Sequence, residues 1–368
     1  MLPEFRTSES LVGTIFFVFM NGDAAVIFFF VLSGYVLTYR FFQNPNTDYM
    51  MIAVAKRLPR LALLTTMATL ASALIWLSGF YYFREAGTLS NSLWLKSFAF
   101  ARLPDDFQAS IFGALRQGAW RTFFSGESYY DSSLWTMMHE FHGSIIVFVA
   151  APFFVFVLRN RLIWMFLALA ILTFRYSEPY MIPFLFGMGI AYYHEKLVWF
   201  ASSLATAFLL LLGIYLLGFE IPRHHYAIFE RLFFWSPAIA NGVDFKIIVQ
   251  TIGATCVIIA VLQSQMAERI FDNRFGAILG RLSFPVYLVH VPVILSASSL
   301  VYIALFPSIG RDAIWAAASC TLILTVLISW PLAILDTRWV RFLNGKIGKL
   351  PELFAEKRVF SGFKSNEG

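Results

Sequence analysis

Residues 24–40 read AAVIFFFVLSGYVLTYR, an apolar run interrupted near its middle by the step Ser33-Gly34-Tyr35. Soluble cores rarely use so unbroken a run, and a helix that crosses a bilayer needs about 20 such residues. Within it Ser33 offers a hydroxyl and Gly34 removes a side chain, so a second backbone or a ligand can approach closely. Ordinary helix packing and a ligand passage are both compatible with that step. The rest of the chain is of the same kind: 14% of its 368 residues are charged and 59% hydrophobic, with mean hydropathy +0.69. Soluble domains carry about 25% charged residues. The expected class is therefore an all-α, polytopic membrane helix bundle of about nine to ten transmembrane helices.

The hydropathy pattern places spans at Ala24–Phe42, Leu61–Phe83, Leu134–Leu158, Leu162–Phe174, Tyr180–Tyr193, Phe200–Phe219, Lys246–Gln263, Leu282–Phe306 and Asp312–Leu335. Arg84 to Ser133 mixes both charge signs with Phe, Trp and Tyr, which suits a loop with interface-lying helices. Residues 1–336 form the expected membrane domain, and 337–368 a basic amphipathic tail. Arg40 with Lys56, Arg57 and Arg60, then Arg159 and Arg161, Lys196, the Arg269–Arg281 group and the tail alternate onto one side. By the excess of Lys and Arg on cytoplasmic loops, that side is the cytoplasm, and the C-terminus with it. The net charge of +6 is thereby explained without nucleic acid. Cys256 and Cys320 lie in apolar runs, so neither a disulfide framework nor thiol chemistry is expected.

Polar groups at membrane depth ask for a reason, because an ionised side chain at a helix centre costs about 2.5–3.5 kcal/mol on insertion scales. Glu140, in LWTMMHEFHGS, shares a helix face with Thr136 and Ser144. Counted along the helix it lies roughly 9 Å below the outer end, with Trp135 marking the interface. It either lines an internal cavity or is tied to a neighbouring Arg. Ser283, Tyr287 and His290 are spaced 4 and 3, a polar stripe on an apolar helix. A neutral imidazole there can act as base or acid, or donate a hydrogen bond between helices. Lys56, Arg57 and Arg60 form a basic step that serves as a topology determinant or as a phosphate clamp. His139 and His142 are three apart, but no third ligand is evident and no metal is expected. His224 and His225 read as solvated loop residues.

Taken together these motifs resemble the acyltransferase family 3, integral membrane O-acyltransferases. Phe29-Phe30-Val31-Leu32-Ser33-Gly34-Tyr35, Lys56-Arg57-x-x-Arg60, Leu134-Trp135-Thr136 with Glu140, Phe184-x-x-Gly187 and Ser283-x-x-x-Tyr287-Leu288-x-His290 are similar to its motifs, in its order. The resemblance implies transfer of an acyl group, acetyl in the first instance, from acyl-CoA to a hydroxyl of a carbohydrate or other small acceptor. It implies Lys56, Arg57 and Arg60 on the coenzyme's phosphates, and Ser33 with the Gly34 backbone along the acyl passage. Glu140 would face the acceptor and Tyr287 with His290 would support the reaction centre, with Tyr35, Trp135 and Ser283 among the substrate-binding residues. The expected setting is the plasma (inner) membrane, with no metal cofactor.

One departure stands against these matches. The family's catalytic His belongs to a first helix upstream of the Ser-Gly step, and no His precedes His139 here. The topology agrees, since nine spans would start the chain outside. The expectation is either a truncated sequence that lacks the first helix or an inactive or repurposed member of the family. Two further classes compete with the enzyme: a transporter or flippase, for which intramembrane Glu and His are also usual, and a degenerate binding scaffold.

Overall fold

The structure, a computed structural model, describes Val18 and residues 21–101, 103–157, 179–199, 202–220 and 242–348. No strand occurs among them. The expected span Leu162–Phe174, most of Leu11–Met20 and the loop holding His224 and His225 lie outside the described residues. The principal helices are α1 (Gly22–Gln43), α2 (Thr47–Leu77), α3 (Trp135–Pro152), α4 (Ile182–Tyr192), α5 (Ser203–Leu217), α6 (Gly242–Gln263), α7 (Arg274–Val293), α8 (Ser299–Ile309) and α9 (Ala313–Ile347). Among the described residues, five helical stretches are long and apolar enough to cross a membrane: Gly22–Gln43, Thr47–Leu77, Ser132–Val157, Phe245–Gln263 and Arg274–Ile347. Pro179–Tyr192 and Ser203–Leu217 are shorter apolar helices. The last of the five turns back on itself at Gly310, whose φ of +59° suits a residue with no Cβ. The chain divides into two compact units, Met1–Met50 with His142–Asn273, and Met51–Phe141 with Arg274–Gly368.

In the first unit α1 packs on α4 and α5 on α6, each pair brought close by glycines. A Cβ on Gly34 would collide with the Phe184 carbonyl, and one on Gly187 with the carbonyl of Val31. One on Gly213 would lie 2.8 Å from the Gly253 carbonyl. Small residues permit this approach where water does not drive helices together. Ala24, Val31, Ile190, Leu217, Ala254 and Ile258 fill the core. Asn21 starts α1: its side chain accepts from the Ala24 N–H and donates to the Leu217 carbonyl, at 3.2 and 3.3 Å. Lys246 bridges Asp23 and Glu220 at 2.6 and 2.7 Å.

In the second unit Leu61, Leu64, Phe123, Leu134, Met137 and Leu288 form one core. The segment before α3 is tied along α2, with Thr65 donating to the Gly118 carbonyl and Thr69 to that of Ala114, at 2.7 and 2.9 Å. Ser72 donates to the carbonyl of Tyr130. The helix expected at Leu61 begins at Thr47, so the basic step lies inside α2 and not in a linker. The residues from Asp48 to Leu58 contain neither Gly nor Pro and hold a helix without interruption. Likewise α9 runs unbroken through residue 336, where the tail was expected to begin. At 31 and 35 residues, α2 and α9 are about 46 and 52 Å long, against about 30 Å of hydrocarbon. Their overhanging ends meet: Trp339 Nε1 donates to the Pro59 carbonyl at 2.8 Å, and Lys56 Nζ to Asn344 Oδ1 at 2.9 Å.

Candidate active site

The second unit gathers most of the residues singled out from the sequence. Glu140 of α3 is 3% exposed and Arg57 of α2 is 7% exposed, and the Arg57 guanidinium donates to Glu140 Oε1. Two buried charges survive away from water only as such a pair. Four residues before Glu140, and so on the same face, Thr136 Oγ1 lies 2.5 Å from the Tyr287 hydroxyl of α7. Tyr287 donates in turn to the Ser133 carbonyl, which leaves its oxygen as the acceptor for Thr136. One turn on, His290 Nδ1 is 2.6 Å from the Tyr287 carbonyl. A carbonyl only accepts, so Nδ1 carries the proton and Nε2 the lone pair.

A residue without a place among the sequence candidates completes the cluster. Asp131, fully buried, accepts at Oδ1 from the backbone N–H and the hydroxyl of Ser133, at 3.0 and 2.8 Å. Burial pushes its carboxyl up to about 7, and the Ser133 bonds oppose that shift. Ser133 thus links Asp131 to Tyr287. Asp131-Ser132-Ser133 before the helix is legible as a cap, but a cap is ordinarily wet, and its burial has no local signal.

The remaining candidates separate. Arg57 is turned inward on Glu140, whereas Arg60 is exposed and Lys56 holds Asn344, so the three side chains of the basic step have separate settings. Glu140 was expected near the end opposite Arg57, yet the two are in contact. The physical reason is that α3 does not start at a membrane surface. Asp131, Ser132, Ser133 and Leu134 are all buried, so residues counted from the helix start do not measure depth. Trp135 is half-buried with its ring 5.8 Å from that of His139. Ser283 is exposed and donates to the Gly280 carbonyl on its own helix at 2.9 Å. In the first unit, Gly34 is spent on the approach to α4, and the Tyr35 hydroxyl lies 3.1 Å from His194 Nδ1.

A family model described as an acyltransferase domain, Acyl_transf_3, matches residues 3–334. The chain belongs to the acyltransferase 3 family. The match spans parts of both units and ends within α9. No curated protein and no solved structure matches the chain. As a member of the acyltransferase 3 family with apolar helices of spanning length, the chain is an integral membrane protein of an acyltransferase class.

Proposed function

We propose that the protein is a membrane O-acyltransferase that moves an acyl group, acetyl first, from acyl-CoA to a hydroxyl of a carbohydrate or other small acceptor. The observation that carries this reading is the linked set in the second unit: the buried Arg57–Glu140 pair, the Thr136–Tyr287 hydroxyl pair one turn from Glu140, and the half-buried His290 imidazole one turn further along α7. In the reaction the acceptor oxygen bonds to the thioester carbonyl carbon and the carbon–sulfur bond breaks. The acceptor's proton passes to a base and ends on the coenzyme's thiol. His290 Nε2 is the base this geometry offers, and Glu140 orients the acceptor while Arg57 keeps that carboxylate charged; the Tyr287 hydroxyl, which donates to the Ser133 carbonyl at rest, would turn its proton to the oxyanion.

The donor side is supported by the overhanging helix ends. Lys56 and Arg60 of α2 stand beside the part of α9 that carries Arg338, Arg341 and Lys346. Guanidinium and ammonium groups in that density suit a coenzyme's phosphates. The excess of Lys and Arg also favours the cytoplasmic side of a plasma (inner) membrane for this end and for the C-terminus.

The test is release of free coenzyme thiol from acetyl-CoA by the purified protein in nanodiscs, with and without a set of simple glycosides. Glycoside-dependent release that disappears in Glu140→Gln and Tyr287→Phe supports the reading. Neither thiol release nor acyl-CoA binding in the unmodified protein would sink it.

A further inference from the structure

The α7–α8 segment and α9 run antiparallel, and one hydrogen bond sets their register: Ser298 Oγ lies 2.7 Å from Thr321 Oγ1. On one side of it Tyr302 packs with Ala313 and Ala317. On the other, Tyr287 and Leu288 pack with Leu332 and Leu335. Counted from that bond, Thr325 stands opposite Ile294, and Ser329 opposite His290. The buried face of α9 is Ala317, Thr325, Ser329 and Ala333, while Leu322, Ile323, Leu327 and Trp330 are exposed as a lipid-facing side would be.

Hydroxyls in membrane helices ordinarily bond the carbonyl one turn back. On α9, Ser319, Thr321 and Thr337 do this at 2.8–2.9 Å. Thr325 and Ser329 do not. They are 4% and 0% exposed, and neither hydroxyl has a partner among the described residues. Both are turned off their own backbone on the face that meets α7. Across from them Pro292 has no N–H for the Leu288 carbonyl, and the helix opens into a π-turn at Ile294–Ser298. Two unpaired hydroxyls in successive turns are unfavourable in a dry seam. They are suited to a guest that both donates and accepts, as a neutral hydroxyl or a water does.

We propose that the seam between α7 and α9, at Thr325 and Ser329, is a site for a neutral hydroxyl group. Water fills it at rest. On the function proposed above, the acceptor's own hydroxyl replaces that water, opposite His290.

Thiol accessibility tests the site without using activity. Ser329→Cys, Thr325→Cys and the lipid-facing Leu322→Cys are each made in a Cys256→Ala, Cys320→Ala background and placed in nanodiscs. The probe is 2-aminoethyl methanethiosulfonate, which needs a thiolate and therefore water. Both seam thiols are expected to react at least about tenfold faster than Leu322→Cys. Rates as slow as that of Leu322→Cys at both positions overturn the proposal. Slowing by excess methyl glucoside assigns the guest to the acceptor class, and an unchanged rate assigns it to water. Fast labelling in a protein that shows no acyl transfer keeps the site and removes the proposed function.

Discussion

Arg57 and Glu140 form a buried ion pair that joins α2 to α3, with the Arg57 guanidinium donating to Glu140 Oε1. Removing one partner strands the other charge, which costs about 3–5 kcal/mol, whereas replacing both by apolar residues is often neutral or stabilising. Arg57→Ala is therefore expected to lose folded protein, seen as a lower melting temperature and a smaller monodisperse peak on size exclusion. Arg57→Met combined with Glu140→Leu is expected to recover most of that stability but no acyl transfer. An Arg57→Ala protein that melts normally and is weakened only in acyl-CoA binding would make Arg57 a phosphate ligand instead.

The Tyr287 hydroxyl is the hinge of the hydroxyl cluster, since it meets both Thr136 and the Ser133 carbonyl. Tyr287→Phe is expected to lower stability by about 1–3 kcal/mol, the cost of leaving buried partners unpaired. If the hydroxyl also donates to the oxyanion, turnover falls by about 10²–10³ with acyl-CoA binding unchanged. A stability loss with full turnover of the remaining folded protein would confine Tyr287 to a structural role.

How far the sequence carried depended on whether a property is local. The Ser33-Gly34 step, the Thr136–Glu140 face and the Ser283–Tyr287–His290 stripe are set by helical spacing, and spacing is visible in one chain. That Glu140 is tied to an Arg was one of two readings, but Arg57 was not named as that Arg. The depth of Glu140 was misjudged, because depth was counted from a helix start that turns out to be buried beside α2. Asp131 was invisible for the same reason. Thr325 and Ser329 carry no local signal as small residues of an apolar helix, and only the antiparallel register puts Ser329 across from His290. The start of α2 was missed because the stretch after α1 is polar and holds Asn44-Pro45-Asn46, which read as a linker up to the Lys56–Arg60 step, although nothing from Asp48 to Leu58 breaks a helix.

Asp131 gives a pH dependence with a definite sign. Its carboxyl is raised from 3.8 to about 7 by burial. Between those values the folded protein holds a proton that the unfolded chain has released. Stability contributed by this group is thus complete below about pH 4 and is lost as pH rises towards 7, by about 1.4 kcal/mol for each pH unit at most. Asp131→Asn keeps an oxygen for the two Ser133 donors and cannot ionise. The melting temperature of the unmodified protein is expected to fall relative to that variant between pH 5 and pH 7. Parallel curves across that window would mean that water reaches Asp131.

Gly34 decides between the two uses of the Ser33-Gly34 step. A Cβ there would meet the backbone of Phe184 rather than a side chain able to rotate away, and a Cβ on Gly187 would meet the backbone of Val31 and Tyr35. Forcing extra volume into a packed contact costs about 1–3 kcal/mol, and more where backbone must move. Gly34→Ala and Gly187→Ala are each expected to lower the melting temperature. The double variant should lose less than the two losses added, because α1 and α4 need part only once. Gly280→Ala serves as the control: nothing lies within 4 Å of its Cβ position, so it is expected to gain about 0.4–1 kcal/mol from the stiffer unfolded chain. If Gly34→Ala instead folds and melts normally while acyl transfer is lost, the glycine serves the passage of a ligand and the contact with α4 is incidental.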